Sequence, residues 1–158
     1  MARVKDIVRL VNAIAPEVNV IPDDYDNTGL IVGKTETEVE KVLVCLDVTE
    51  EVLSEAIEKE TQMIIAHHPM LFMPTNRVTD ETTLGRKIIT AIENGISIYA
   101  SHTSLDFTAG GINDYLATLL RLEEVKPLDP YISEREGFGR VGDLGSNFWF
   151  ITGQFSNL

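Results

Sequence analysis

The amino-acid sequence predicts an α/β fold with a mainly parallel sheet flanked by helices. Short apolar runs alternate with segments whose apolar residues follow helical spacing, and turn residues separate the two kinds of segment. The runs are apolar on both faces, which is typical of parallel strands that helices cover on both sides. In such a sheet we expect the ligand site at the carboxyl ends of the strands, where the loops converge.

Composition narrows the class of protein further. The chain has 158 residues, and its 44% hydrophobic and 24% charged residues are ordinary for one globular domain. Its net charge of −12 disfavours nucleic-acid and anionic-membrane partners, since both need clustered cations. The single cysteine, Cys45, excludes an intrachain disulfide and is interpreted as a buried inert thiol. The polar first residues and the absence of a membrane-length apolar run predict a cytoplasmic protein.

The first half of the chain alternates helix and strand. Residues 3–14 place apolar side chains at helical spacing, and Pro16 ends this predicted helix. Thr49 is a suitable N-cap for a second helix that runs to about Glu60, with Glu50 and Glu51 in its first turn. Strands are predicted at Leu30–Val32, Lys41–Leu46 and Gln62–Ala66.

The same alternation continues to about residue 121 and then fails. The predicted elements are a helix over Thr83–Asn94, a strand over Ile96–Ala100 and a helix over Ile112–Arg121. From Val125 onward, proline and glycine interrupt the pattern. Only Phe138–Val141 and Asn147–Thr152 are apolar enough to predict strands there.

All three histidines, His67, His68 and His102, directly follow predicted strands. Histidine titrates near neutral pH and is the commonest metal ligand, so the sequence indicates a metal or acid–base site. Pro69 ends the strand after His67-His68, which lets both rings enter one cleft, each toward a different ion. The alternative is a capped strand end, with both rings bonded to loop carbonyls.

Asp106 follows His102 by four residues and is a candidate carboxylate ligand. A carboxylate in this place can bridge two cations held about 3.5–4 Å apart, or it can simply cap a turn. His102 has four interpretations: a ligand, a group that orients a ligand, a proton-transfer group, or a structural histidine.

Three further segments have weaker signals. Asn27, within the turn-like tetrad Asp26–Gly29, is a candidate substrate contact or an ordinary turn residue. Gly110-Gly111 opens a helix, where free amides can bind an anion, although a plain turn explains the pair equally well. Asp47 is interpreted as the first residue of a helix-capping loop.

Several ordered motifs together resemble one family, the NGG-interacting-factor-three family, whose bacterial members are often labelled GTP cyclohydrolase I type 2. The resemblance covers about residues 3–144 in the family's order and spacing. The motifs that carry it are Tyr25–Leu30, Leu46–Thr49, His67–Phe72, Ser101–Asp106, Gly110–Asp114 and Gly139–Gly142.

This resemblance implies an α/β domain with two divalent metal ions at the strand ends, usually within a homohexamer. It implies that His67 and His68 each bind one metal, that Asp106 is shared, and that His102 lies close by. Mixed nitrogen and oxygen ligands suit zinc, iron or manganese. The implied activity is metal-dependent hydrolytic opening of the guanine ring of GTP, a small-molecule nucleotide.

The chain also departs from the family pattern. Family members continue past residue 158 with a late His-x-x-x-Glu motif, whereas this chain has no histidine after His102. We therefore expect residues 1–145 to be the N-terminal part of a longer family domain, and residues 146–158 to be a tail that does not match.

Two functional hypotheses follow. One is a metal-dependent hydrolase acting on GTP-like or cyclic C–N substrates, and the other is a non-enzymatic metal-binding or oligomeric interaction module. A third possibility is a partial polypeptide that self-associates through an exposed sheet edge.

Overall fold

A computed structural model describes residues 1–17 and 26–145 of the chain. The chain divides into two compact units, Met1–Ser104 and Leu105–Leu158, which are described separately below. The predicted strand over Asn147–Thr152 and the predicted tail, residues 146–158, lie outside the described residues. Within the described ranges, no helix is long and apolar enough to cross a membrane.

The first unit contains the predicted alternation of helices and strands. Its long elements are α1 (Val4–Ile14), β2 (Gly29–Val32), β4 (Val42–Cys45), α2 (Glu50–Glu58), β5 (Met63–Ala66), α3 (Thr83–Glu93) and β6 (Ser97–Ala100). Two strands were not predicted, β1 (Ala2–Arg3) and β3 (Glu38–Val39), and each has only two residues.

The main sheet is mixed, so the prediction of a mainly parallel sheet is not confirmed. Its strand order is β2-β6-β5-β4; β5 pairs in parallel with β4 and β6, but β2 pairs antiparallel with β6. β1 and β3 form a separate antiparallel pair. The neighbour of β2 is β6, which follows it by more than 60 residues, and an apolar run does not reveal the direction of such a distant pairing. The apolar pattern of β2 therefore identified a strand without fixing its direction.

Helices cover the two faces of this sheet through two apolar clusters. One cluster joins Leu53 of α2 and Ala91 of α3 to Ile64 and Ile98 of the sheet. The other joins Val4 of α1 to neighbouring strand residues that point the opposite way, Met63 and Tyr99. The expectation of strands buried on both faces is thus confirmed for β5 and β6.

Local side-chain hydrogen bonds define where the helices begin. Thr49 caps α2 as predicted, because its hydroxyl accepts a hydrogen bond of 3.2 Å from the backbone N–H of Val52. Thr82 caps α3 in the same way through Gly85, at 3.0 Å.

The second unit contains α5 (Ile112–Leu119) and an antiparallel hairpin of β7 (Leu122–Ser133) and β8 (Glu136–Leu144). The sequence predicted only Phe138–Val141 within this hairpin. Pro127 and Pro130 interrupt the pattern of β7, and a two-stranded ribbon tolerates them because both of its strands are edges. A short helix, α4 (Thr103–Phe107), was also not predicted.

Candidate metal centre

The three histidines lie together at the carboxyl ends of β5 and β6. The ring centres of His67 and His68 are 4.9 Å apart, and those of His102 lie 5.7 Å from His67 and 6.0 Å from His68. The parallel pairing of β5 with β6 brings the two histidine segments to the same edge. The expectation that these histidines converge at one sheet edge is therefore confirmed. We call this group, with its hydrogen-bond partners, the histidine edge.

His67 is oriented by the backbone of the neighbouring strand. Its Nδ1 lies 3.1 Å from the carbonyl oxygen of Ser101, the residue after β6. A carbonyl oxygen only accepts hydrogen bonds, so Nδ1 carries the proton and the ring's lone pair is on Nε2. This is the tautomer in which Nε2 binds a metal ion.

His68 is oriented by the carboxylate of Asp47, which was interpreted as the first residue of a helix-capping loop. Its Nδ1 lies 2.8 Å from Asp47 Oδ1, and the two side chains are 46% and 56% exposed. Asp47 follows β4, and the parallel pairing of β4 with β5 brings it beside His68. Thr49 supplies the helix cap, so Asp47 is available to the histidine edge. The position of Asp47 at the end of a strand is the feature of the sequence that could have predicted its contact with His68.

His102 has the most extensive hydrogen-bond network of the three. Its Nδ1 lies 2.6 Å from Asp26 Oδ1, and both side chains are largely buried. The other carboxylate oxygen of Asp26 accepts hydrogen bonds from Thr103 and Thr28. Burial alone would raise the pKa of Asp26, but the hydrogen bonds from Thr103, His102, Thr28 and the Asn27 backbone lower it overall. Asp26 therefore stays ionised and fixes the His102 ring.

Asn27, the predicted substrate contact, connects two loops of this edge. Its side-chain amide donates a hydrogen bond to the carbonyl oxygen of Leu71, and its backbone N–H donates to Asp26 Oδ1 at 2.8 Å. Next to Leu71, the ring of Phe72 meets His102 edge-on, with centres 5.8 Å apart. These contacts favour a structural role for the amide nitrogen of Asn27.

Two buried hydroxyls flank His102. Ser101 and Ser104 are 4% and 2% exposed, and neither Oγ has a hydrogen-bond partner among the described residues. A buried hydroxyl without a partner costs about 1–3 kcal/mol. Such hydroxyls are typical of sites where ordered water or a ligand completes the hydrogen bonds.

The remaining predicted residues, Asp106, Gly110 and Gly111, belong to the second unit. The backbone carbonyl of Asp106 accepts a 2.8 Å hydrogen bond from Asn113 Nδ2. The N–H of Gly110 donates to Asp114 Oδ2 at 2.6 Å, and that of Gly111 donates to the carbonyl of Thr108 at 3.1 Å. Because both amides are used within the unit, the arrangement favours a turn over an anion site at these glycines.

The described residues do not form a complete metal shell. Across residues 1–17 and 26–145, no group of three or more His, Cys, Asp or Glu side chains is arranged to hold a metal ion. The donor chemistry of the histidine edge nevertheless suits a divalent ion, because each ring is held with its lone pair on Nε2.

Comparison with known proteins identifies the family. The family model described as Duf34/NIF3 (NGG1p interacting factor 3) matches residues 2–153. The chain belongs to this family. The match includes both histidine segments and extends past residue 145, into the segment that we expected not to match.

Curated NIF3 relatives give the same assignment. The GTP cyclohydrolase 1 type 2 homolog of Clostridium perfringens is 41% identical over 143 residues, which are 90% of this chain and 54% of the relative. NIF3-like protein 1 of Drosophila melanogaster is 35% identical over 118 residues, or 75% of this chain and 40% of the relative. The chain thus spans about half, or less, of the length of these relatives.

Solved structures of NIF3-related proteins share the fold. Reduced HcgD from Methanocaldococcus jannaschii has a TM-score of 0.81 at 32% identity, covering 98% of this chain and 60% of that one. The Bacillus cereus protein related to NIF3 has a TM-score of 0.76 at 38% identity, covering 82% of this chain and 35% of that one. The α/β fold is therefore that of the NIF3 structures.

Proposed function

We propose that the histidine edge binds divalent metal ions and that the protein is a metal-dependent hydrolase. The observation that carries this proposal is the common arrangement of the three imidazoles. Each Nδ1 faces an oxygen acceptor, namely the Ser101 carbonyl, Asp47 or Asp26, so each lone pair is on Nε2. Metal-binding histidines almost always have such an acceptor on the other ring nitrogen.

The spacing of the rings supports the same proposal. The ions of a two-metal site lie about 3.5–4 Å apart, so two imidazoles that bind one ion each have ring centres at least about 4 Å apart. The 4.9 Å between the ring centres of His67 and His68 is compatible with this arrangement. We assign His67 and His68 as ligands of two ions, each zinc, iron or manganese, and Asp106 as the shared carboxylate that the family resemblance implies.

For the reaction, we propose hydrolysis of GTP-like or cyclic C–N substrates by a cytoplasmic homo-oligomer, with the homohexamer as the assembly. The name GTP cyclohydrolase 1 type 2 homolog, given to relatives about 40% identical, supports this substrate class. Bound divalent ions would supply Lewis acidity for the hydrolysis. His102, held by ionised Asp26, would transfer a proton, and the side-chain oxygen of Asn27 would contact the substrate.

Measuring how much metal the chain binds tests the proposed site directly. We expect the purified chain to bind close to two equivalents of zinc, iron or manganese by elemental analysis and calorimetry. The variants His68→Ala and Asp106→Asn should each bind less, and Asp80→Asn, an exposed carboxylate outside the histidine edge, should bind as much as wild type. Equal binding by wild type and His68→Ala would contradict the assignment.

An assay of substrate turnover distinguishes a hydrolase from a non-enzymatic metal-binding or interaction module. The absence of a complete three-donor group among the described residues favours that second candidate. We expect the metal-loaded chain to open the ring of GTP or a related cyclic substrate, and His102→Gln to lose turnover while keeping its metal. A chain that binds metal but hydrolyses none of these substrates with any of the three ions would support the second candidate instead.

A further inference from the structure

The ring of Phe72 lies beside the histidine edge and is partly exposed. It meets the ring of His102 with the centres 5.8 Å apart and the planes at 71°, and the residue is 43% exposed. An edge-on contact covers only part of a phenyl ring, so ring surface remains accessible. Singly exposed apolar residues are common on protein surfaces. An aromatic ring beside a few polar groups is, however, typical of a ligand-binding site, so Phe72 is a candidate ligand contact.

The backbone before Phe72 is held in place by packing and by a hydrogen bond. Met70 and Leu71 pack against the core cluster that contains Ile64. The carbonyl oxygen of Leu71 also accepts a hydrogen bond from the side-chain amide of Asn27. A side chain on an anchored backbone loses less conformational entropy when a ligand binds than a side chain on a free loop. The exposed ring is therefore preorganised for binding.

We propose that the exposed ring of Phe72 binds the substrate by stacking on a flat heteroaromatic ring, such as a purine base. This role rests on the proposed function, because the stacked ring belongs to the substrate of the histidine edge. It also narrows the substrate class to GTP-like molecules with a flat base. A saturated cyclic C–N molecule gains nothing from this contact, because a puckered ring has no π-face to stack on the phenyl ring.

The spacing of Phe72 and His102 suits one ligand that contacts both. Stacked aromatic rings have their centres about 4.5–7 Å apart, and a hydrogen bond to an imidazole nitrogen spans about 3 Å. With 5.8 Å between the centres of the two side-chain rings, a flat base that covers the phenyl ring brings the polar atoms of its own edge close to His102. Stacking would thus hold the base where the histidine edge can act on it.

The apolar surface around Phe72 suits a small ligand better than a protein. Met73 is also exposed, at 67%, but the loop then continues with polar residues, Thr75, Asn76 and Arg77. A stable protein interface buries about 800 Å² on each partner, which is far more than two side chains offer. One flat ring needs only one phenyl ring on which to stack.

GTP binding tests the stacking role of Phe72. We expect Phe72→Leu, which keeps an apolar side chain without an aromatic face, to weaken GTP binding about 10-fold in calorimetry, with or without zinc, because one base–aromatic stack is lost. Inorganic triphosphate, which has no base, and δ-valerolactam, a saturated cyclic amide, should each bind wild type and the variant equally. Val78→Ala, at a 45% exposed apolar position of the same loop, is the control and should bind GTP like wild type.

Three results would overturn the stacking role. They are GTP affinity that is equal in wild type and Phe72→Leu, an equal loss of affinity for GTP and triphosphate, and no GTP binding by wild type. Circular dichroism and metal content check that Phe72→Leu is folded with its histidine edge intact. A chain that stacks GTP on Phe72 but takes up no metal, or hydrolyses no substrate, would contradict the proposed function and leave the stacking role standing.

Tryptophan fluorescence supplies a second measurement. Phe72→Trp keeps an aromatic face, so it should bind GTP nearly as tightly as wild type. GTP should quench the emission of the new indole by stacking on it, and triphosphate should not. Wild type, whose one tryptophan is Trp149, gives the background signal. Emission from Phe72→Trp that responds to GTP no more than wild type does would overturn the proposal.

Discussion

Three imidazoles in the first unit are held by acceptors of different strength. Asp26 is ionised and buried beside His102, whereas the Asp47–His68 pair is about half exposed. Solvent and salt screen an exposed pair more strongly than a buried one. The ring of His102 is therefore expected to be the most rigidly positioned of the three.

The first prediction concerns these two carboxylates. We expect Asp47→Asn to weaken metal binding about 10-fold, because removing a group that orients a metal-binding histidine typically costs 10–100-fold in affinity. Asp26→Asn should change the position of His102 more than the affinity, so turnover should fall further than metal binding. Calorimetry and steady-state kinetics measure the two effects, with Asp80→Asn as the control. An unchanged metal affinity in Asp47→Asn would contradict the prediction.

The role of a single residue could be predicted only where that role depends on residues close to it along the chain. The Thr49 cap was predicted because an N-cap acts within one helical turn. The partners of His68 and His102 lie 21 and 76 residues away in sequence, so no local pattern could reveal them. Asp47 lies in the loop before the Thr49 cap, as interpreted, but its contact with His68 was not predicted for that reason.

At the scale of elements, the second prediction concerns the end of β2. Gly33 has a φ of +127°, and an added Cβ would lie 2.7 Å from the Cα of buried Ser97 in β6. We expect Gly33→Ala to lower the free energy of unfolding by at least about 3 kcal/mol, because left-handed strain adds to a backbone overlap. Chemical denaturation with urea measures this change.

Gly95 provides the matched control for Gly33. Its φ is +66°, but an added Cβ would meet nothing within 4 Å. Gly95→Ala should therefore cost only about 1–2 kcal/mol from backbone strain. An equal decrease in the free energy of unfolding of the two variants would show that the overlap with Ser97 does not destabilise the protein.

The third prediction concerns the ion pair between α5 and β8. Arg140 is 4% exposed and donates to both carboxylate oxygens of Asp114. These hydrogen bonds, with that from the Gly110 N–H, outweigh burial and lower the pKa of Asp114. A lowered pKa in the folded state stabilises the fold above the unfolded value of about 3.9, and this stabilisation is lost as the pH falls through the folded value.

Asp114→Asn tests this ion pair. At neutral pH we expect it to lower the free energy of unfolding by about 2–4 kcal/mol, because it leaves the buried Arg140 without a counterion. The difference from wild type should shrink as the pH falls below the unfolded value of about 3.9 and through the lowered pKa of the folded state. Urea denaturation at several pH values measures it. A difference that does not depend on pH would contradict the assigned pKa direction.

At the scale of the whole molecule, the net charge of −12 sets the response to salt. Like charges repel in the compact state, and salt screens them with a Debye length of about 8 Å at physiological ionic strength. The fourth prediction is that Tm rises by a few degrees between low and physiological salt. A Tm that falls with added salt would mean that attractive ion pairs dominate.

The sequence by itself determined the four longer helices, the four strands of the main sheet and the position of every histidine at a strand end. Periodicity, caps and turn residues act over a few positions, so they can be seen along the chain. Only the tertiary structure decided that β2 runs antiparallel, that β7 and β8 form a hairpin, and which carboxylates orient the histidines. These features depend on contacts between residues far apart in sequence, and burial and hydrogen bonding select such contacts only once the chain has folded.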